Sequence, residues 1–163
     1  FSCDAGGIEA AVAHVRATAG GFMLQPYLDA VESQGELSII TVDGEPSHGT
    51  RKVPAAGDYR VQEDWGARDE AWQPDEAALE LARRALAAAN EILGERLLYG
   101  RVDLLISEQA EGRGELSNLN DGRAYVLNEL ELVEPALFFR HSAATADRLA
   151  AALLSRIEAT TSS

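Results

Sequence analysis

Three carboxylates and an arginine sit on two short apolar stretches late in the chain. "YGRVDLLI", residues 99–106, carries Arg101 and Asp103, and "VLNELELVEP", residues 126–135, carries Glu129, Glu131 and Glu134. Both stretches read as strands. Strand side chains alternate between faces, so Glu129 and Glu131 point one way and Leu130 and Leu132 the other. Like charges on one face repel, and an interior does not accept them unpaired. If the two strands pair as a hairpin across the 109–122 loop, Tyr99, Arg101, Asp103 and Leu105 share a face with Tyr125, Leu127, Glu129 and Glu131. Val102, Leu104 and Ile106 then join Val126, Leu130 and Leu132 on an apolar face. One face builds core; the other gathers three carboxylates with Arg101 at the rim. Such an all-oxygen set suits Mg²⁺, which favours one or two carboxylates together with phosphate and water. The cation would relieve the repulsion. Two other readings fit the same spacing. One is a solvated polar sheet face. The other is a paired-carboxylate hydrolase, for which only Trp65 and Trp72 offer sugar-stacking aromatics. Glu134 falls outside the pattern and is expected to be exposed.

The rest of the chain must position these strands. "GIEAAVAHVRATAGG" has helical spacing and closes on glycines. "FMLQPYLDAV" reads as a strand running into a turn or a single helical turn. "GELSIITVDGEPSHGTRKV" is a hairpin about Asp43-Gly44. "PAAGDYRVQEDWGARDEAWQ" reads as a long irregular loop of the kind that is often functional. "PDEAALELARRALAAANEILG" is the clearest helix, with Pro74 and two acids at its start, Gly94 at its end, and a stripe of Leu79, Ala82, Leu86, Ala89 and Leu93. "SAATADRLAAALLSRIEA" closes the chain as a helix with Ser142 as N-cap. This order predicts one α+β domain over residues 1–163, an antiparallel sheet covered by helices.

Composition bounds the function. The chain has 163 residues, 46% of them hydrophobic and 25% charged, which suits a soluble globular domain. Its 27 Asp and Glu against 14 Lys and Arg give a net charge of −13. Nucleic-acid or anionic-membrane binding needs a positive surface, so neither is expected. Handling phosphate would take a local basic cluster or a bound cation. Cys3 is the single cysteine, which excludes an internal disulfide and fits a cytoplasmic protein.

Taken together, "YGRVDLLI" and "YVLNELELVEP" resemble the second half of the ATP-grasp fold, as in glutathione synthetase, D-alanine–D-alanine ligase and their relatives. In that family an Asp and a Glu-x-Asn on adjacent strands hold two Mg²⁺ ions against the phosphates of ATP. The resemblance implies Asp103, Glu129 and Glu131 as metal ligands, Glu131 departing from the family's Asn. It implies Arg101 as the arginine that faces the reacting acyl phosphate. "MLQPYLDAVESQGELSII" resembles the adenine hinge, implying Gln25, Pro26, Tyr27 and Leu28 against the base and Glu36 on the ribose. "SHGTRK" and "GDYR" resemble segments that bring Lys52 and Arg60 to phosphate or substrate, while His48 reads as structural. The implied reaction is an ATP- and Mg²⁺-dependent ligation of a small carboxylate to an amine or similar nucleophile through an acyl phosphate. The cycloserine-forming branch is among the groups resembled. The Lys-Pro strand and Gly-rich phosphate loop of the first half are expected ahead of Phe1. This chain then reads as the C-terminal portion of a longer protein, partnered by the remainder of its own fold. The rival expectation is an ATP-grasp-like, non-catalytic module that binds a cation or nucleotide.

Overall fold

The computed structural model describes residues 5–18, 20–21, 27–61, 63–107, 117–118 and 123–161. In chain order the elements are α1 (Ala5–Ala17), α2 (Ala30–Gln34), β1 (Glu36–Val42), β2 (Glu45–Val53), β3 (Arg68–Trp72), α3 (Glu76–Leu93), β4 (Tyr99–Ser107), β5 (Ser117–Asn118), β6 (Ala124–Glu131) and α4 (Ala143–Thr161). Single 3-10 turns cover Glu63–Trp65 and Phe139–His141. The strands form one six-stranded sheet in the order β3-β2-β1-β4-β6-β5, antiparallel at every step. The fold is α+β, as the alternation of hairpins and helices predicts.

The sheet has one dry face. Leu37, Ile39, Val102, Leu104, Ile106 and Tyr125 pack there against Ala78, Leu81, Ala82 and Leu86 of α3. The Asp75 side chain caps α3 by accepting from the Ala78 amide at 2.9 Å, satisfying one of the free donors of the first turn. The buried stripe of α3 is rotated from the expected one. Ala78 and Leu81 are buried, Leu79 is half-buried, and Leu93 is 52% exposed. In α4 only Thr145 is buried; its hydroxyl donates to Ser142 Oγ at 2.9 Å.

Two sequence expectations are corrected. The segment 54–73 is not wholly irregular, because Arg68–Trp72 forms β3 and pairs with β2 from Gly49↔Trp72 to Val53↔Arg68. Its alternation is polar because it is an edge strand, mostly exposed along its length. The second correction concerns facing. The β4–β6 ladder slips between Asp103 and Leu104: Leu104 stands opposite Leu127, and Asp103 opposite Glu129. Asn128 is the extra residue of a β-bulge, and such a bulge inverts the alternation upstream of it. Tyr125 therefore lies in the core with Ile106 rather than beside the acids, and Val126 pairs with Leu105. Asp103, Glu129 and Glu131 keep the expected shared face with Arg101; Glu129 stands opposite Asp103, and Glu131 opposite Arg101.

Candidate active site

Register builds the site across the face opposite α3. Ser38 on β1, Asp103 on β4 and Glu129 on β6 stand in one row, with Glu36 and Lys52 paired one step along on β1 and β2. Arg101 and Glu131 form the next row. Asp103 is fully buried and hydrogen-bonded on both oxygens. Ser38 Oγ donates to Oδ1 at 2.6 Å, and Lys52 Nζ donates to Oδ2 at 3.2 Å. Arg101 donates from Nε at 2.9 Å and from Nη2 at 2.8 Å. The same Nη2 pairs with Glu131, and Lys52 also pairs with Glu36. Asn128 Nδ2 reaches Glu36 Oε2 at 2.7 Å.

The two buried acids titrate in opposite directions. Burial pushes the Glu36 carboxyl up, with Lys52 pulling the other way and Asp103 adding to the rise. Burial also acts to raise Asp103, but the Arg101 hydrogen bonds and the charges of Lys52 and Arg101 outweigh it and hold that carboxyl below its ordinary value. A buried carboxylate is tolerated here because its lone pairs and its charge are both matched. Glu129 is exposed and makes no ion pair or hydrogen bond among the described residues.

Above this row lies a cavity of about 670 Å³, within the range of small-molecule sites. Tyr27, Leu28 and Val31 line part of it, with Glu36, Lys52, Arg101, Glu129 and Glu131 elsewhere on its wall. Arg60 also lines it, stacked 3.6 Å over the Trp65 ring and paired with Asp58 at 2.6 Å. That pairing holds the Asp58 carboxyl well below the usual range. The expected site residues thus converge on one cavity, apart from Asp103, which lies fully buried beside Arg101 and Lys52. Gln25 and Pro26 fall outside the described residues. His48 lies away from this cavity and bonds Thr145 Oγ1 through Nδ1 at 2.9 Å, tying β2 to α4.

Sequence reading missed four contributors. Ser38 was legible, being two residues from Glu36 on the same strand. Asn128 was not, because only the bulge turns it toward Glu36. Ala136 and Phe138, in the segment after β6, also reach the site: Arg101 Nη1 donates to Ala136 O at 3.4 Å, and the guanidinium stands 5.7 Å from the Phe138 ring. Carboxylate oxygens of Asp103, Glu129 and Glu131 lie within 4.8 Å of one another. Three hard oxygen donors so spaced fit a divalent cation such as Mg²⁺.

The sheet matches part of the ATP-grasp ligases, and the chain is homologous to a portion of one of them. It is similar to the cycloserine biosynthesis protein DcsG of Streptomyces lavendulae, with 34% identity over 158 residues, 90% of this chain and 46% of that protein. The crystal structure of D-cycloserine synthetase DcsG matches with a TM-score of 0.63 and 32% identity, over 81% of this chain and 41% of that one. A D-alanine–D-alanine ligase from Bacillus anthracis shares 18% identity at a TM-score of 0.42, over 76% of this chain and 38% of its own. The chain spans less than half the length of these relatives. No family model matches it. No helix among the described residues is long and apolar enough to cross a membrane.

Proposed function

We propose that residues 1–163 form the C-terminal portion of an ATP-grasp domain, in a cytoplasmic ligase that joins a small carboxylate to an amine or similar nucleophile. The observation that carries this reading is the cluster of Asp103, Glu129 and Glu131 with Lys52 and Arg101, all but the buried Asp103 on the wall of one cavity. A polyphosphate beside carboxylates needs cations of both kinds, fixed and bound.

Asp103, Glu129 and Glu131 would hold Mg²⁺, which when bound neutralises charge on the β- and γ-phosphates. Tyr27 and Leu28, preceded in the sequence by Gln25 and Pro26, would form the adenine hinge, and Glu36 would accept from the ribose. Lys52 and Arg60 hold phosphate or the substrate carboxylate. Arg101 steadies the transferred phosphoryl group. In the first step a substrate carboxylate oxygen attacks the γ-phosphorus, giving an acyl phosphate and ADP. In the second the nucleophile adds to the acyl carbon, and phosphate leaves with its bonding pair while the nucleophile's proton is lost. Catalysis on this plan is positioning and charge neutralisation rather than covalent chemistry by the protein.

The test is nucleotide binding by the full-length protein with and without Mg²⁺. Mg²⁺-dependent ADP binding that Glu129→Gln abolishes is the expected result. Cation binding indifferent to nucleotide would turn the reading into that of a non-catalytic module.

A further inference from the structure

In this structure Arg101 shares with Ser38 and Lys52 the Asp103 lone pairs that a cation would use, and it alone of the three also holds Glu131. Its Nε and Nη2 hold Asp103, and the same Nη2 holds Glu131, so one guanidinium covers two of the three candidate ligands. Mg²⁺ sits about 2.1 Å from its oxygen ligands. A divalent ion at that range of Asp103 and Glu131 would stand beside the positive guanidinium and be repelled by it. Cation and Arg101 therefore exclude each other from this position.

The guanidinium has somewhere to go. Nη1 already reaches Ala136 O, and the Phe138 ring, which the Arg140 guanidinium also approaches to 5.1 Å, lies 5.7 Å away. That wall is held in place. Phe138 adopts a left-handed backbone, φ 46° and ψ 42°, uncommon for a non-glycine residue. Its carbonyl accepts from the His141 amide at 2.9 Å, and Arg140 and His141 both pair with Asp69 on β3.

Resting on the metal reading above, we infer that Arg101 is an internal stand-in for the cation. Without metal it closes the carboxylate cluster. Metal loading releases it from the carboxylates onto the Ala136–Phe138 seat, along the wall of the cavity it already lines, so its charge is free to meet a ligand only when the metal is present. Order of assembly is thereby built into one side chain.

The test measures binding of Mn²⁺ alone, by the electron paramagnetic resonance signal of the free ion, in the full-length protein without nucleotide. Arg101→Met removes the competitor and is expected to tighten Mn²⁺ about tenfold, from the loss of one nearby positive charge. Arg101→Lys keeps the charge and is expected to tighten it far less. Unchanged or weaker binding in a folded Arg101→Met protein overturns the inference. Should that variant not fold, Phe138→Leu decides. Losing the ring removes part of the seat and is expected to weaken Mn²⁺ about threefold; unchanged or tighter binding overturns the inference. Glu129→Gln separates the two readings. If it leaves Mn²⁺ binding intact, the metal site itself is wrong and both fall. If it abolishes binding while the Arg101 and Phe138 variants change nothing, only the stand-in role falls.

Discussion

Asp103 and Glu129 stand opposite each other across the β4–β6 ladder, yet one is fully buried with four donor atoms around it and the other is exposed with none among the described residues. Two acids in one row therefore have different costs of removal. Glu129→Gln takes away a charge that supports no other side chain. Its stability is expected to change by no more than about 0.5 kcal/mol, while turnover of the full-length enzyme falls roughly 100-fold or more. Asp103→Asn leaves Arg101 and Lys52 facing a neutral amide in a buried place and is expected to cost about 3–5 kcal/mol of stability. Exposed Glu134→Gln should alter neither. Denaturation curves and turnover for the three variants check this. Greater loss of activity in Glu134→Gln than in Glu129→Gln would remove the metal strand.

Glu36 carries the hinge assignment. It pairs with Lys52 and accepts from Asn128, on the same cavity as Tyr27 and Leu28. Glu36→Ala in the full-length protein is expected to weaken ATP by about 1–3 kcal/mol, the worth of a charged acceptor to the ribose. Gln25→Ala is expected to cost little, since the proposed hinge would meet adenine through backbone. Calorimetric ATP affinities for the two variants are the measure. Equal effects would place the ribose elsewhere.

Local signals made much of the fold legible. Asp43-Gly44 between two alternating runs specifies a hairpin, and Asp75 with Gly94 brackets α3, because turns and caps depend on a few neighbouring residues. The gathering of Asp103, Glu129 and Glu131 on one face with Arg101 was likewise readable from strand alternation. Three things were not. The extra residue at Asn128 flips every side chain upstream of it, and nothing in "YVLNELEL" marks which residue bulges. β3 exists because the outer edge of β2 offers it a ladder; "RDEAW" alone has no buried face to announce a strand. The burial of Asp103 depends on cations from two strands closing over it, so a reading of β4 and β6 alone leaves that acid exposed to solvent.

The Asp69 clamp sets an acid dependence. Arg140 Nε donates to Asp69 Oδ2 at 2.8 Å. Its hydrogen bonds, with those of His141 behind them, hold the Asp69 carboxyl below its ordinary value against some desolvation. A carboxyl depressed in the folded state binds its proton later than in the unfolded chain. The stability it supplies is thus present above the unfolded value, about pH 4, and is lost as pH falls through the lower folded value. Arg140 is half-exposed, so the contribution is expected to be only about 0.5–1 kcal/mol. Urea titrations of wild type and Asp69→Asn should differ by that amount at neutral pH and converge in acid. A gap that widens on acidification would contradict the assignment.

Gly35 joins α2 to the strand that carries Glu36, and it has no room for a side chain. Its backbone lies at φ 72° and ψ −172°, and a Cβ there would come 2.3 Å from the Lys52 carbonyl oxygen. Gly94, after α3, shares a φ of 72° but has nothing within 4 Å of where its Cβ would be. Gly94→Ala is therefore expected to cost about 1 kcal/mol, the conformational penalty alone. Gly35→Ala adds a collision with backbone that no rotamer can relieve and is expected to cost about 2–4 kcal/mol. The collision also displaces Lys52, whose ammonium holds both Glu36 and Asp103. In the full-length protein, at temperatures where both variants are folded, Gly35→Ala should weaken Mg²⁺–ADP binding while Gly94→Ala leaves it unchanged. If both lose the same stability and neither loses affinity, then the approach of Gly35 to Lys52 does not set the position of the ammonium.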